Sequence, residues 1–281
     1  SNIKPQIIKS LIKYYQGTMK QIQLVLILFM IAVSTIFSQD IEVRTDLKKY
    51  FDEYGHKGCF VLYDLKNDSY IKFNPERCAE RFIPASTFKI FNSLVGLETG
   101  AVKDEFEVFK WDSVKRFYDM WNQDLDMVKA FKYSGVWYYQ ELARQIGEEK
   151  MQRYISLNHY GNEDISGGID KFWLDGGIRI SADEQIEMLK KLYHGKLEFS
   201  QRSMDIVKRI MIYEQTDEYT IRAKTGWAIR VEDQVGWFVG SVEKGNDVNF
   251  FAINLESKNP EEGFVSRKEI TFNILKHLGI L

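Results

Sequence analysis

The chain has 281 residues, with 38 Lys+Arg against 40 Asp+Glu, and a formal charge of -2. That near balance lacks the basic excess of a nucleic-acid binder, and 44% hydrophobic against 28% charged residues exclude a disordered chain. Two cysteines are too few for a disulfide framework or a Cys-based zinc site, and the four histidines (His56, His159, His194, His277) are scattered with no HExxH, which argues against a zinc hydrolase.

The first element is an uninterrupted apolar run, Leu24 to Val33, preceded by Lys4, Lys9, Lys13 and Lys20 and followed by Ser34, Thr35 and Ser38. A membrane helix needs roughly 20 apolar residues, so the run is short for a span and fits the apolar region of a secretory signal cleaved near Ser38. The expected division is therefore 1–38 as signal and upstream residues and 39–281 as one catalytic domain. An uncleaved membrane anchor is the alternative.

Phe60–Leu65 and Tyr70–Phe73 follow as two strands around the turn Lys66-Asn67-Asp68. Cys59 and Cys78 lie at the outer ends of this hairpin. In an oxidising compartment they pair or stay as two half-buried free thiols.

Thr87–Leu97 reads as a helix ended by Gly100, with Phe88, Ile90, Phe91, Leu94, Val95 and Leu97 spread around nearly its whole circumference. A helix apolar all round belongs inside a domain. At its start stands Pro84-Ala85-Ser86-Thr87-Phe88-Lys89, and residues three apart share a helix face, so the Ser86 hydroxyl and the Lys89 amine can meet. The spacing alone proves little: Ser1/Lys4, Ser10/Lys13, Ser69/Lys72 and Ser241/Lys244 share it. By itself it reads as a helix cap and a snorkelling lysine. What separates Ser86 is its place at the head of an apolar helix.

Next come Tyr133-Ser134-Gly135-Val136 and two amphipathic helices, Trp137–Ile146 and Ala182–Tyr193. Ser134 alone reads as an N-cap. The segment between these helices, with Gly161, Gly167, Gly168, Gly176 and Gly177, reads as a long loop. Strand-like runs follow at Tyr219–Ala223, Gln234–Val242 and Asn249–Leu255, with Lys224-Thr225-Gly226-Trp227 at the end of the first. A helix from about Ser266 to Leu278 closes the chain. Strands near both ends with helices between them predict an α/β (α+β) fold: one mixed, mainly antiparallel sheet built from both termini, flanked by helices with a helical insertion.

Ser-x-x-Lys, a second serine motif and Lys-Thr-Gly, in this order, resemble the serine β-lactamase and penicillin-binding protein superfamily. Ser134-Gly135-Val136 places Val136 where most of that superfamily has Asn, and this is the pattern of class D, the oxacillinase type. Tyr160-Gly161-Asn162, and Phe172-Trp173-Leu174 followed by Arg179-Ile180-Ser181, also resemble class D landmarks. The resemblance runs from roughly Gly58 to the C-terminus.

It implies a β-lactamase/transpeptidase-like fold and hydrolysis of β-lactams through an acyl-enzyme on Ser86. Lys89, carboxylated by CO2 or bicarbonate (an N6-carboxylysine), is the implied general base. Ser134 and Lys224 relay the proton to the leaving nitrogen. The backbone N–H groups of Ser86 and Trp227 form the oxyanion hole. Phe88, Val136, Trp173 and Leu174 line the modified lysine, and Thr225, Gly226 and Arg267, at the opening of the last helix, bind substrate. No metal or dissociable cofactor is implied, and no nucleic acid or stable membrane partner. The site is that of an exported, periplasmic enzyme acting on small β-lactams. The alternative is a β-lactam sensor domain that is acylated without turnover.

Overall fold

The computed structural model describes residues 14–15, 18–23, 40–230, 234–257 and 260–281. The apolar run Leu24–Val33 lies outside the described residues. The chain divides into two compact units, Ser1–Asp40 and Ile41–Leu281. In the first, residues 18–23 are helical. Among the described residues no helix is long and apolar enough to cross a membrane.

The second unit is built on a seven-stranded sheet. Its strands are β1 (Asp40–Val43), β2 (Lys57–Asp64), β3 (Ser69–Phe73), β6 (Ile212–Gln215), β7 (Thr220–Ala228), β8 (Val235–Lys244) and β9 (Asp247–Glu256), in the spatial order β1-β3-β2-β9-β8-β7-β6. A separate pair joins β4 (Arg81–Phe82) to β5 (Ile180–Ser181). The β2–β3 hairpin is antiparallel, with Phe60 opposite Phe73 and Asp64 opposite Ser69. β2 then pairs antiparallel with β9, Val61 opposite Ala252. That pairing is where the two ends of the chain meet, as the order of the elements predicts.

Side chains on a strand alternate between faces, and here both faces are covered. Cys59, Val61, Trp237, Val239, Phe250 and Ala252 enter one core. Phe60, Leu62, Phe238, Phe251, Ile253 and Leu255 enter the other. The strands accordingly read as continuous apolar runs. The first core is closed by α1 (Lys89–Glu98), α2 (Met127–Lys132), α3 (Val136–Ile146), α4 (Glu148–Asn158), α5 (Ala182–Tyr193) and α6 (Gln201–Ile210). The second is closed by α7 (Pro260–His277), through Ile270, Ile274 and Leu275. Every residue of α1 from Lys89 to Leu97 is buried, as an all-round apolar helix requires.

Four expectations need correction. The region after Ile146 is not all loop, because α4 occupies Glu148–Asn158; only Met151, Ile155 and Asn158 are buried on it, too few to give a clear apolar stripe. The Lys-Thr-Gly motif lies inside β7 rather than at a strand end: Lys224 pairs with Val239 and Gly226 with Trp237. Arg267 does not open the last helix, which begins at Pro260, where the missing N–H of proline costs nothing. Cys59 and Cys78 are free thiols, buried completely rather than half. Cys59 sits opposite Asn254 across the sheet, while Cys78 lies on a helical turn, Pro75–Ala79, beyond β3. The Cys78 thiol donates to Phe73 O (3.4 Å) and Phe60 O (3.5 Å), and the neighbouring Cys59 thiol and burial push its pKa up.

Candidate active site

The nucleophile turn is a short 3-10 segment, Ala85–Phe88, that leads into α1. Ala85, just before Ser86, has φ +48°, in the left-handed region that side chains other than glycine rarely occupy. Such backbone persists only where the surroundings over-determine it. Three contacts do so here. Trp237 Nε1 donates to Ile83 O (2.9 Å), Thr87 N donates to Pro84 O (3.2 Å), and Thr87 Oγ1 donates to the same carbonyl (2.8 Å). β7 presses on the turn from the other side. A Cβ on Gly226 would stand 2.9 Å from Pro84 O and 3.1 Å from Thr87 Cγ2, so only glycine lets the strand and the turn approach this closely.

Ser86 is half-buried and Lys89 wholly buried, and Lys89 Nζ lies 2.7 Å from Ser86 Oγ. Burial holds the Lys89 amine well below its usual range, and the charges of Lys224 and Arg230 push the same way. Phe88 stacks on Trp173 (5.5 Å between centroids) and meets Phe172 edge-on (5.0 Å). Val136, half-buried, and Leu174, buried, belong to the same core. Trp173 is fully buried, yet its Nε1 has no hydrogen-bond partner. A buried orphan donor is rare, and its cost, about 1–3 kcal/mol, calls for a missing acceptor. Lys89 is thus a wholly buried amine of lowered basicity at the head of α1, and the core that α1 closes holds an unused donor, Trp173 Nε1.

The wall behind Lys89 contains a residue that the sequence analysis did not single out. The Tyr139 ring lies 5.3 Å from Lys89 Nζ. Its carbonyl accepts from Asn92 Nδ2 (3.2 Å) and its hydroxyl pairs with Ser93 Oγ (2.8 Å), so α1 and α3 hold it jointly. Its only sequence signal is a position three residues after Val136, on the same face of α3.

Ser134 is not a helix cap. Gly135 takes the N-cap position of α3, with no side-chain capping bond. Ser134 sits at φ +56°, with Trp121 Nε1 holding the preceding carbonyl, Tyr133 O, at 2.9 Å. The serine is thereby free for another contact: Lys224 Nζ is 3.1 Å from Ser134 Oγ. Lys224 is buried on β7, and burial together with the Arg267 charge lowers its pKa to about 7. The Phe131 ring stands 5.4 Å from its amine.

On the other face of β7, Trp227 Nε1 donates to Gln234 Oε1 (3.1 Å). Its ring fits between two glycines, since a Cβ on either Gly236 or Gly263 would collide with it. The Arg267 guanidinium packs over Phe264 (4.2 Å) and Trp227 (5.3 Å). It is 3% exposed, its Nε and Nη1 have no hydrogen-bond partner, and burial lowers its pKa to about 9. A guanidinium with unused donors can hold a carboxylate. Thr225, half-buried, stands between Lys224 and Gly226 on the same strand. Ser266, the neighbour of Arg267, is anchored by buried His56 at 2.8 Å.

The tryptophan loop is stapled by the Tyr160-Gly161-Asn162 segment. Asn162 Oδ1 accepts from Arg179 N (2.8 Å), and Asn162 Nδ2 donates to Gly177 O (3.0 Å). Gly161, at φ +57°, leaves no room for a Cβ against Arg179 O. The Tyr160 ring packs on Phe88 and Phe91. That segment therefore ties the end of the loop at Gly177 and Arg179 to the wall formed by Phe88 and Phe91.

The fold sets out Ser86–Lys89 and Ser134–Lys224 as two hydrogen-bonded pairs, and the comparisons with known proteins give the class. The penicillin binding protein transpeptidase domain matches residues 51–276. Beta-lactamase OXA-48 of Klebsiella pneumoniae is 49% identical over 83% of this chain and 87% of its own length. Beta-lactamase OXA-5 of Pseudomonas aeruginosa is 43% identical over 94% and 99%. Among solved structures, the class D β-lactamase YbXI from Nostoc superposes with a TM-score of 0.82 at 44% identity, covering 85% of this chain and 100% of that one. FUS-1 (OXA-85) from Fusobacterium nucleatum gives 0.82 at 40% identity, covering 85% and 100%. The chain belongs to the class D β-lactamase family.

Proposed function

We propose that this chain hydrolyses β-lactams, with Ser86 as nucleophile and Lys89, carboxylated on Nζ by CO2, as general base. The observation that carries the reading is the contact of 2.7 Å between Ser86 Oγ and a lysine amine whose pKa burial holds well below its usual range, which favours the unprotonated form. Only an unprotonated amine attacks CO2. Trp173 Nε1 and the apolar walls of Phe88, Val136 and Leu174 would hold the resulting carboxylate, which supplies a base beside Ser86.

The Ser86 oxygen bonds to the lactam carbonyl carbon and the ring C–N bond breaks. The backbone N–H groups of Ser86 and Trp227 face the developing oxyanion; such a donor is worth about 10²–10³ in rate. The proton reaches the departing nitrogen through Ser134, beside Lys224, whose pKa near 7 suits proton transfer at neutral pH. Arg267, with Thr225 and Gly226 on β7, binds the substrate carboxylate. Water then cleaves the Ser86 ester. Residues 1–38 act as an export signal and 39–281 as the periplasmic enzyme; N-terminal sequencing of the exported protein reads the cleavage point.

Steady-state hydrolysis of a β-lactam panel, with and without bicarbonate, tests the reading. Multiple turnovers that accelerate with bicarbonate support it. A single stoichiometric burst with a stable acyl adduct overturns it in favour of the sensor.

A further inference from the structure

Gln185 lies on α5, next to the capping box formed by Ser181 and Glu184, and is completely buried. It touches no reacting group. Its Nε2 donates to Thr87 Oγ1 at 2.9 Å, and its Oε1 has no partner. Thr87, also completely buried, has a single hydroxyl proton. Because Gln185 supplies a donor to Thr87 Oγ1, that proton is left for Pro84 O, 2.8 Å away. Pro84 O also receives Thr87 N and abuts Gly226, so this one carbonyl closes the left-handed turn at Ala85 and meets β7. The oxyanion donors stand on the two sides of that contact: Ser86 N in the turn, and Trp227 N next to Gly226 on the strand.

We propose that Gln185 is a positioning residue for the nucleophile: by orienting the Thr87 hydroxyl onto Pro84 O, it fixes the spacing between the Ser86 turn and β7, and so the width of the oxyanion hole. The unused Oε1 fits this role. A buried side chain kept for packing alone has no need of an amide, whereas one kept to donate must carry an acceptor along with it. The inference rests on acylation at Ser86 as proposed above.

The test is the pre-steady-state acylation rate with a chromogenic cephalosporin, set beside thermal unfolding. Gln185→Leu keeps the bulk and removes the donor. Gln185→Glu presents acceptors, which turn the Thr87 proton away from Pro84. Both slow acylation about 10–100-fold, the scale expected of a small misplacement at a reacting centre. Thr87→Val slows it similarly, Thr87→Ser restores it to within about threefold of wild type, and Gln185→Leu/Thr87→Val is no slower than the slower single variant. Ile186→Val, equally buried on α5, lowers Tm without slowing acylation.

Acylation by Gln185→Leu within twofold of wild type, or multiplicative losses in the double variant, overturns the inference. If Gln185→Leu fails to fold, the Thr87→Val and Thr87→Ser pair decides, and equal rates in that pair overturn it. A wild-type protein that no β-lactam acylates instead refutes the functional reading.

Discussion

The two sides of the Ser86 cleft handle a buried cation in different ways. On the α1 side, Lys89 is wholly buried beside the Tyr139 ring, and burial holds its pKa well below its usual range. On the β7–α7 side, Lys224 and Arg267 are also buried; burial lowers the pKa of both, the Arg267 charge lowers that of Lys224 further, and Nε and Nη1 of Arg267 have no hydrogen-bond partner among the described residues. Stability alone favours neither arrangement, since an unpaired buried charge is costly. The first pocket lowers the basicity of its lysine. The second keeps guanidinium donors unused.

The comparison breaks most sharply at Lys89. Lys89→Ala removes the base, and turnover falls by about 10²–10⁴-fold, measured as kcat over the β-lactam panel; a kcat within tenfold of wild type removes Lys89 from that role. Trp173→Phe comes next, because it keeps most of the packing and deletes only the orphan donor. A hydrogen bond to a charged group is worth about 1.5–3 kcal/mol, so kcat falls about 10–100-fold and the bicarbonate needed for half-maximal activity rises. If bicarbonate dependence does not change, the donor has another partner.

Arg267→Ala sharpens the other side. KM rises about tenfold with kcat little changed, the pattern of lost uniform binding. Burial lowers the Lys224 pKa most and the Arg267 charge adds to it, so the rate-profile inflection expected from Lys224 moves to higher pH when that charge is removed. A profile that stays in place separates the two groups.

The smallest effect is on stability. Folding lowers the Lys224 pKa from 10.5 to about 7, so between those values the unfolded chain binds the extra proton. The contribution of this residue to stability therefore rises with pH across that window, and the cost is full below about pH 7. Lys224→Met raises Tm, by about 2–4 °C for each kcal/mol recovered. In melts from pH 6 to 10 this gain is largest at the acid end and shrinks as pH rises. A gain that grows with pH reverses the assignment.

Much of the site was legible because its motifs are local. Yet Ser69/Lys72 and Ser241/Lys244 share the spacing of Ser86/Lys89 and lie on β3 and β8, where residues three apart point to opposite faces. The helix, not the spacing, brings serine and lysine together. Ser134 looked like a cap and is instead held at positive φ beside Lys224. Tyr139, Phe131 and Gln185 went unnoticed because each is an ordinary core residue in sequence and matters only for what packs against it. The surface of α4 is mostly polar and so carries no apolar stripe, and the proline at the first position of α7 reads in sequence as a break.

From its sequence alone, the chain determined the strand and helix periods, the all-round apolar helix behind Ser86, and the order of motifs that marks its family. Those features depend on neighbours a few residues apart. Tertiary structure alone decided that burial depresses the Lys89 pKa, that the Lys224 pKa falls to about 7, and that Trp173 and Arg267 hold unused donors. Desolvation and unmet hydrogen bonds are set by atoms far apart in the chain, here β7, α1, α3 and α7 closing around one cleft.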